Sequence, residues 1–373
     1  MPELRFRLYF GGNPATAEDL ALIEEITVDQ TEDAAWEARL ILSLCLDEQG
    51  NWDRQEDIRL RPRTQVRVEL KIGTDDFKPL IDGPIVGVDT AMDSRPGRST
   101  ATVVIHDDSA WLNLRSGPIT LPGRSDAEVA RELFTTRSEG HVTTADVVIP
   151  EEASPPTLGA DFAQLGTPMQ MLRHLAERSG CHAFVLPGDA PGQSIGCLKA
   201  DPADPGTLPD LVLVGSGRNL ADVTVSEDPE SSRRTTVHTL SLSDQGISSY
   251  TTQQSDEALL GEEPAAPEPA ESAAPPGGNP SEDAAARARA RARRDNYPVK
   301  YTGRMIACAY PKILQPYQKV ALRLGAARTS THILLTHVTH RITPSMYTVE
   351  FEAKGNSFSS VQTSVPGLPA GIV

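Results

Sequence analysis

Cysteine is scarce in this 373-residue chain, and the four present, Cys45, Cys181, Cys197 and Cys308, include no Cys-x-x-Cys pair. They therefore read as small core residues in a reducing compartment rather than as a redox or zinc motif. Long hydrophobic runs are missing too: no stretch approaches the roughly 20 apolar residues of a membrane-crossing helix. The opening MPELRFRLYFGG has too short an apolar run for a signal peptide, with no small-residue cleavage site behind it, so export by the general pathway is not expected. Basic charge is in deficit, with 35 Lys and Arg against 51 Asp and Glu and a net charge of −16, which argues against binding nucleic acid through phosphate neutralisation. Such a balance suits a soluble component that must not self-associate before its partners arrive. The length exceeds one ordinary core and predicts two or three domains.

What is present first is alternation. From Trp36 to Leu46 every even position is apolar, while Glu37, Arg39 and Ser43 stand between them, the signature of a half-buried strand. Gln65 to Ile72 repeats the pattern, with Val66, Val68, Leu70 and Ile72 expected inward and Arg67, Glu69 and Lys71 outward. With Phe6–Phe10, Pro84–Asp89 and Ala101–His106, residues 1–115 predict a first small β-barrel, with a long polar loop over Gly50–Pro62.

Helices enter only in the next stretch, 116–188. Ser125 and Glu128 are spaced as a capping box ahead of Val129, Ala130, Leu133 and Phe134. Thr167 and Gln170 form a second box, Pro168 takes the first helical position, and Met171, Leu172, Leu175 and Ala176 share an apolar face. Gly180 stands where a left-handed C-terminal residue is wanted, and Ala183–Leu186 returns to strand.

Strand patterns resume over 189–250 and again over 297–358, predicting a second barrel built from two separated pieces. Between them, 251–296 contains EEPAAPEPAESAAPPGGNPSED, rich in Pro, Ala and acid and expected to be a disordered linker, then AAARARARARR, expected to be a short basic helix. Residues 359–373 form a polar tail. The predicted fold class is thus mainly β with a small α+β region, two small β-barrels flanking a short helical segment.

This arrangement resembles the phage late control gene D family, the baseplate hub of contractile tails, and is similar to the hub half of type VI secretion spike proteins. The resemblance rests on SDAEVARELF at 125–134, MLRHLAERSGCHAFV at 171–185, VGSGRNL at 214–220 and LLTHVTHRITPSMYTVEFEAKG at 334–355, in that order. It implies a non-enzymatic homotrimer, a symmetry adaptor whose two barrels per chain offer six similar surfaces to a hexameric inner tube while the far end holds a trimeric spike. The implied location is the cytoplasm during assembly, then a virion or phage-tail-like particle, with the tail pointing toward a separate spike polypeptide. No cofactor, membrane or small-molecule substrate is implied.

Candidate chemistry is thin. His337 and His340, with His332 nearby, invite a metal reading, but an odd separation puts them on opposite faces of a strand. His106, Asp107 and Asp108 have no Gly-x-Ser-x-Gly serine to complete a triad. Gly215-Ser216-Gly217 lacks the third glycine of a dinucleotide turn and matches the hub family's glycine turn better. The adjacent pairs Glu24-Glu25 and Glu151-Glu152 read as solvated loop charges rather than a glycosidase acid and base. Arg287, Arg289, Arg291 and Arg293 would spread around a solvated helix balancing the acidic linker or lining an interface; the other reading is a nucleic-acid arm. The rival function, from another class, is a tail-associated peptidoglycan hydrolase.

Overall fold

Period-two alternation becomes antiparallel sheet across most of the chain. The computed structural model describes residues 4–359 apart from 47–49, 51, 53–56, 96, 121–123, 151–162, 229–235, 244–245, 255–258, 266–270, 274–289, 291–292, 295–296, 308 and 326–327. The first strand-rich stretch holds β1 (Leu4–Phe10), β2 (Asn13–Pro14), α1 (Ala17–Ala21), β3 (Ile23–Thr31), β4 (Glu37–Ser43), β5 (Gln65–Ile72), β6 (Lys78–Ala91) and β7 (Thr100–His106). The middle holds α2 (Ser109–Leu112), β8 (Gly117–Thr120), α3 (Asp126–Thr136), β9 (Val142–Val148), β10 (Ala163–Gly166), α4 (Pro168–Ser179), β11 (His182–Pro187) and β12 (Ser194–Lys199). Next come β13 (Leu211–Val212), β14 (Leu220–Glu227), β15 (Thr236–Ser243), β16 (Gly246–Gln254), β17 (Glu263–Pro264) and β18 (Glu271–Ala273). The last stretch holds β19 (Val299–Met305), β20 (Lys319–Arg323), β21 (His332–Ile342), β22 (Tyr347–Gly355) and β23 (Ser357–Phe358). Among the described residues no helix is long and apolar enough to cross a membrane.

One sheet path runs β14-β19-β22-β21-β3-β4-β7-β6-β5-β1-β2, with antiparallel neighbours throughout, and β20 joins it at β21. The decisive pairing is β21 with β3, from His337 opposite Thr31 to Ile342 opposite Ile26. It welds the two ends of the chain into one structure. Ile26, Val28 and Leu40 from the first stretch share a core with Tyr301, Val338 and Phe351 from the last. Gly303 makes room for this packing, because a Cβ there would lie 2.5 Å from the Phe351 ring.

The fold is mainly β, with a small α+β unit between the strand-rich stretches. In that unit β11, β12 and β9 form a three-stranded sheet covered by α3 and α4. Both capping boxes form, Ser125 with Glu128 and Thr167 with Gln170. Gly180 ends α4 at φ 64°, and a Cβ there would also meet the Ala290 backbone at 2.8 Å.

Three features differ from the sequence expectation. β12, expected to open the second barrel, belongs to the middle unit, because its hairpin with β11 delivers Leu198 to the α3–α4 core. β15 pairs with β16 on one side and β18 on the other, outside the main sheet path. Inside the expected linker, residues 259–265 lie along β23: Leu260 is buried and its N–H bonds Asn356 Oδ1 at 2.9 Å, while Glu263 and Pro264 pair with Phe358 and Ser357. β18 likewise falls within the acidic segment. A backbone ladder needs no apolar side chain, so composition alone could not announce it. The remainder of that segment and the tail from 360 onward lie outside the described residues.

Phe351, 2% exposed, anchors the final strand in the shared core. Phe351→Ala should cost about 3–5 kcal/mol in urea unfolding. A negligible loss would mean that β22 does not pack as described.

Candidate functional site

The densest polar chemistry lies where the three parts of the chain meet. The tight β3–β4 turn, with Asp33 at φ 56°, presents Glu32 and Asp33 to β11 of the middle unit. There His182, 3% exposed, places Nδ1 3.0 Å from Asp33 Oδ1 and Nε2 3.2 Å from Glu32 and 3.4 Å from Asp201. From β22, Lys354 Nζ reaches Glu32 at 2.6 Å and Asp201 at 3.6 Å. Arg294 adds a 2.5 Å bond to Asp33 and donates to the Cys181 carbonyl. Tyr317 stacks on Phe184 and accepts the Asp33 N–H at 2.8 Å.

Three carboxylates thus face three cationic side chains. Burial pulls the His182 pKa down, but the bonded carboxylates of Asp201 and Asp33 outweigh it and hold it at about 9. Burial pushes Asp201 up, and His182 and Lys354 overcome this to hold it at about 2. Glu32, His182 and Asp201 come close enough to make a metal triad thinkable. The Lys354 ammonium already occupies the charge position that an ion would take, so the donor set fits an internal ion-pair network better.

A second buried cluster fastens the middle unit to β5 and β6. Arg67, expected to face water, is 1% exposed because the β11–β12 turn covers it. Its guanidinium pairs with Glu69 at 2.7 Å and Asp82 at 3.1 Å and donates to the Asp189 and Ala190 carbonyls. Asp82 also accepts the Gly192 N–H at 2.9 Å. Nearby Asp108 accepts bonds from Gln65, Trp111 Nε1 and the Ser194 hydroxyl, the last at 2.6 Å. Burial, opposed by the Ser194 and Gln65 bonds, raises its pKa to about 7.

The residues singled out in the sequence do not converge. His337 faces outward and bonds Asp29 across the β21–β3 junction, while His340 is wholly buried, bonding Tyr347 at 2.9 Å and the Leu314 carbonyl at 3.0 Å. Burial lowers His340 to about 4, so it is neutral in the core. His106 approaches Glu37 at 3.4 Å, whereas Asp107 accepts the Trp36 and Ser109 N–H groups and Asp108 belongs to the buried cluster. Gly215 and Gly217 take positive φ in a turn that Asn219 closes by bonding Val212 and Asp210. Glu25 pairs with Arg341 at 2.6 Å, and Glu151-Glu152 lies outside the described residues. The end of the Arg run is not a freely solvated helix: Ala290 is buried against Gly180, and Arg294 joins the His182 cluster. Glu32, His182, Asp201 and Lys354 carry no sequence signal, since lone polar residues in strands and turns read as surface.

No protein-family model matches the chain, and no curated protein matches its sequence. Solved structures do. A tail protein from Neisseria meningitidis superposes with a TM-score of 0.66 at 13% identity, covering 94% of this chain and 96% of that one. The fold is that of phage tail proteins. A 43 kDa tail protein of prophage MuSo2 from Shewanella oneidensis gives 0.62 at 13% identity, over 94% and 97% of the two chains. An Escherichia coli component of the type VI secretion system, itself structurally similar to T4 bacteriophage tail proteins, gives 0.54 at 10% identity, over 95% and 77%. The likeness to the tail proteins is one of whole chains, the middle unit included.

Two outcomes follow from the buried charges. The stability contribution of His182 is whole below its ordinary pKa of 6.5 and is lost as pH rises through about 9. Burial also raises Asp82, Asp107 and Asp108, whose shares fall with rising pH in the same sense, so the part of the decline that belongs to His182 is the part that its replacement removes. Urea unfolding across that range should show it, and His182→Gln should flatten it; an unchanged slope would disprove the assignment. Arg67→Met, which strands Glu69 and Asp82, should cost about 3–5 kcal/mol in the same measurement.

Proposed function

We propose that this chain is the baseplate hub of a contractile phage tail or phage-tail-like injection system, a non-enzymatic homotrimer joining a hexameric inner tube to a trimeric spike. The observation that carries the reading is the β3–β21 junction: from it the hairpin β3–β4 leads one way and the hairpin β21–β22 the other. Two strand-rich halves therefore stand side by side in one chain, on one continuous sheet. Three such chains would present six related surfaces, the adaptation a threefold ring needs to meet a sixfold tube. We assign the domains accordingly, a first and a last strand-rich half held by the middle unit. The polar clusters agree with a mechanical role, since their donors and acceptors are engaged with one another at the interfaces between parts. Assembly would take place in the cytoplasm before incorporation into the particle.

Native mass measurement of the chain, alone and with its spike partner, tests this: a trimer that binds the spike is expected. A chain that stays monomeric in both conditions sinks the reading. A zymogram on purified cell wall should be blank, and a clearing band would instead favour a peptidoglycan hydrolase.

A further inference from the structure

β22 continues past Gly355 into β23, and this short extension belongs to the core. Asn356, Ser357 and Phe358 are all buried, and the Phe358 side chain lies in the apolar core shared by the two strand-rich stretches. Arg328 holds it there, with its guanidinium 4.4 Å from the Phe358 ring centroid and its carbonyl accepting the Ser359 N–H at 2.9 Å. An edge of β23 is then taken by residues 259–265, LLGEEPA, which come from far away in the sequence and pair with it antiparallel.

The two sides of this contact are unequally committed. β23 and Asn356 supply the acceptors: Asn356 Oδ1 for the Leu260 N–H, the Ser357 hydroxyl for Gly261, the Phe358 carbonyl for Glu262 and the Asn356 carbonyl for Ala265. The incoming segment buries Leu260 as its one large apolar anchor, whereas Leu259, Glu262, Glu263 and Pro264 are exposed. Pro264 has no N–H to give, so the ladder is short. Gly261 is the tight point, because a Cβ there would lie 2.8 Å from the Phe358 carbonyl oxygen and 2.5 Å from Thr331 Oγ1. That hydroxyl, on a residue only 8% exposed, has no hydrogen-bond partner among the described residues, so the segment closes the site without satisfying it. A short ladder with few buried apolar contacts belongs to the parts of a fold that open first, while the acceptor stays in the core.

We propose that the β23 edge is an acceptor for an extended peptide, occupied in cis by residues 259–265 as a strap, and that a partner strand with the same pattern, a bulky apolar residue followed by glycine, enters when the strap leaves. The mode is strand addition: backbone N–H groups supply the hold, while the seat of Leu260 and the narrow point at Gly261 supply the selection. Being part of the same chain, the strap competes at an effective concentration in about the millimolar range, which a free peptide must exceed. Until it is displaced, it also closes an edge that would be open to unwanted pairing. The inference does not rest on the hub reading, because the edge and its strap belong to a single chain whatever the number of copies.

The probe is a fluorescein-labelled peptide of residues 258–265, ALLGEEPA, titrated into the full chain and followed by fluorescence anisotropy. Wild type should bind it weakly. Gly261→Val or Leu260→Asp in the chain unseats the strap and leaves the acceptor intact, so either variant should bind the peptide at least about tenfold more tightly than wild type. The peptide carrying Gly261→Val should bind neither variant. In wild type, millimolar unlabelled peptide should speed hydrogen exchange at the chain's own Glu262 and Ala265 amides by displacing the strap, a reading that needs no variant. Folded variants that bind no more tightly than wild type, a substituted peptide that binds as well as the original, or strap amides that exchange no faster with peptide each overturn the inference. None of these outcomes bears on the number of copies, so the hub reading stands or falls separately.

Discussion

The backbone ladder between β3 and β21 is the constraint on which the rest of the molecule depends. It joins segments about 300 residues apart, so a large loop-closure entropy is spent before the contact is made. The return is a core common to both strand-rich halves, with His340 bonded to Tyr347 and the Leu314 carbonyl beneath the ladder and Arg341 paired with Glu25 above it. The exposed pair adds little by itself. The ladder and the apolar side chains under it hold the halves in register.

Given that junction, the middle unit has a defined seat. His182 meets carboxylates from the β3–β4 turn and approaches Lys354 of β22 through them, so the unit touches both halves at the point where they join. On its other side the β11–β12 turn closes over Arg67 and Asp82. Buried ion pairs of this kind add modest net stability relative to apolar packing, and breaking one is costly. We take their role here to be selection of one docking orientation among several that apolar contact alone would allow.

The face of the main sheet turned away from the core carries charged side chains on β3, β4, β19 and β22, with Lys300, Arg304, Glu350, Glu352, Asp29 and Arg39 alternating along and across the strands. Fold and activity are separable in general. Here the buried clusters at His182 and Arg67 are made chiefly of polar groups bonded to one another across the interfaces between parts of the chain.

Much of the local structure was legible in the sequence. The capping boxes at Ser125 and Thr167, the glycine at 180 and the alternation in β4 are dictated by neighbours within a few residues, and each forms as read, whereas β5 forms its strand but buries Arg67 and Glu69 along with its valines. The sequence by itself also determined that the chain is mainly β with one short helical unit, because hydrophobic period and capping are local signals. Only the tertiary structure decided that β12 joins the middle unit, that Arg67 lies buried, that Leu260 docks inside an acidic linker and that His182 gathers three carboxylates. In each case the partner lies far away in sequence, and burial of a polar or isolated apolar residue depends on what the folded chain lays over it, which no periodicity records.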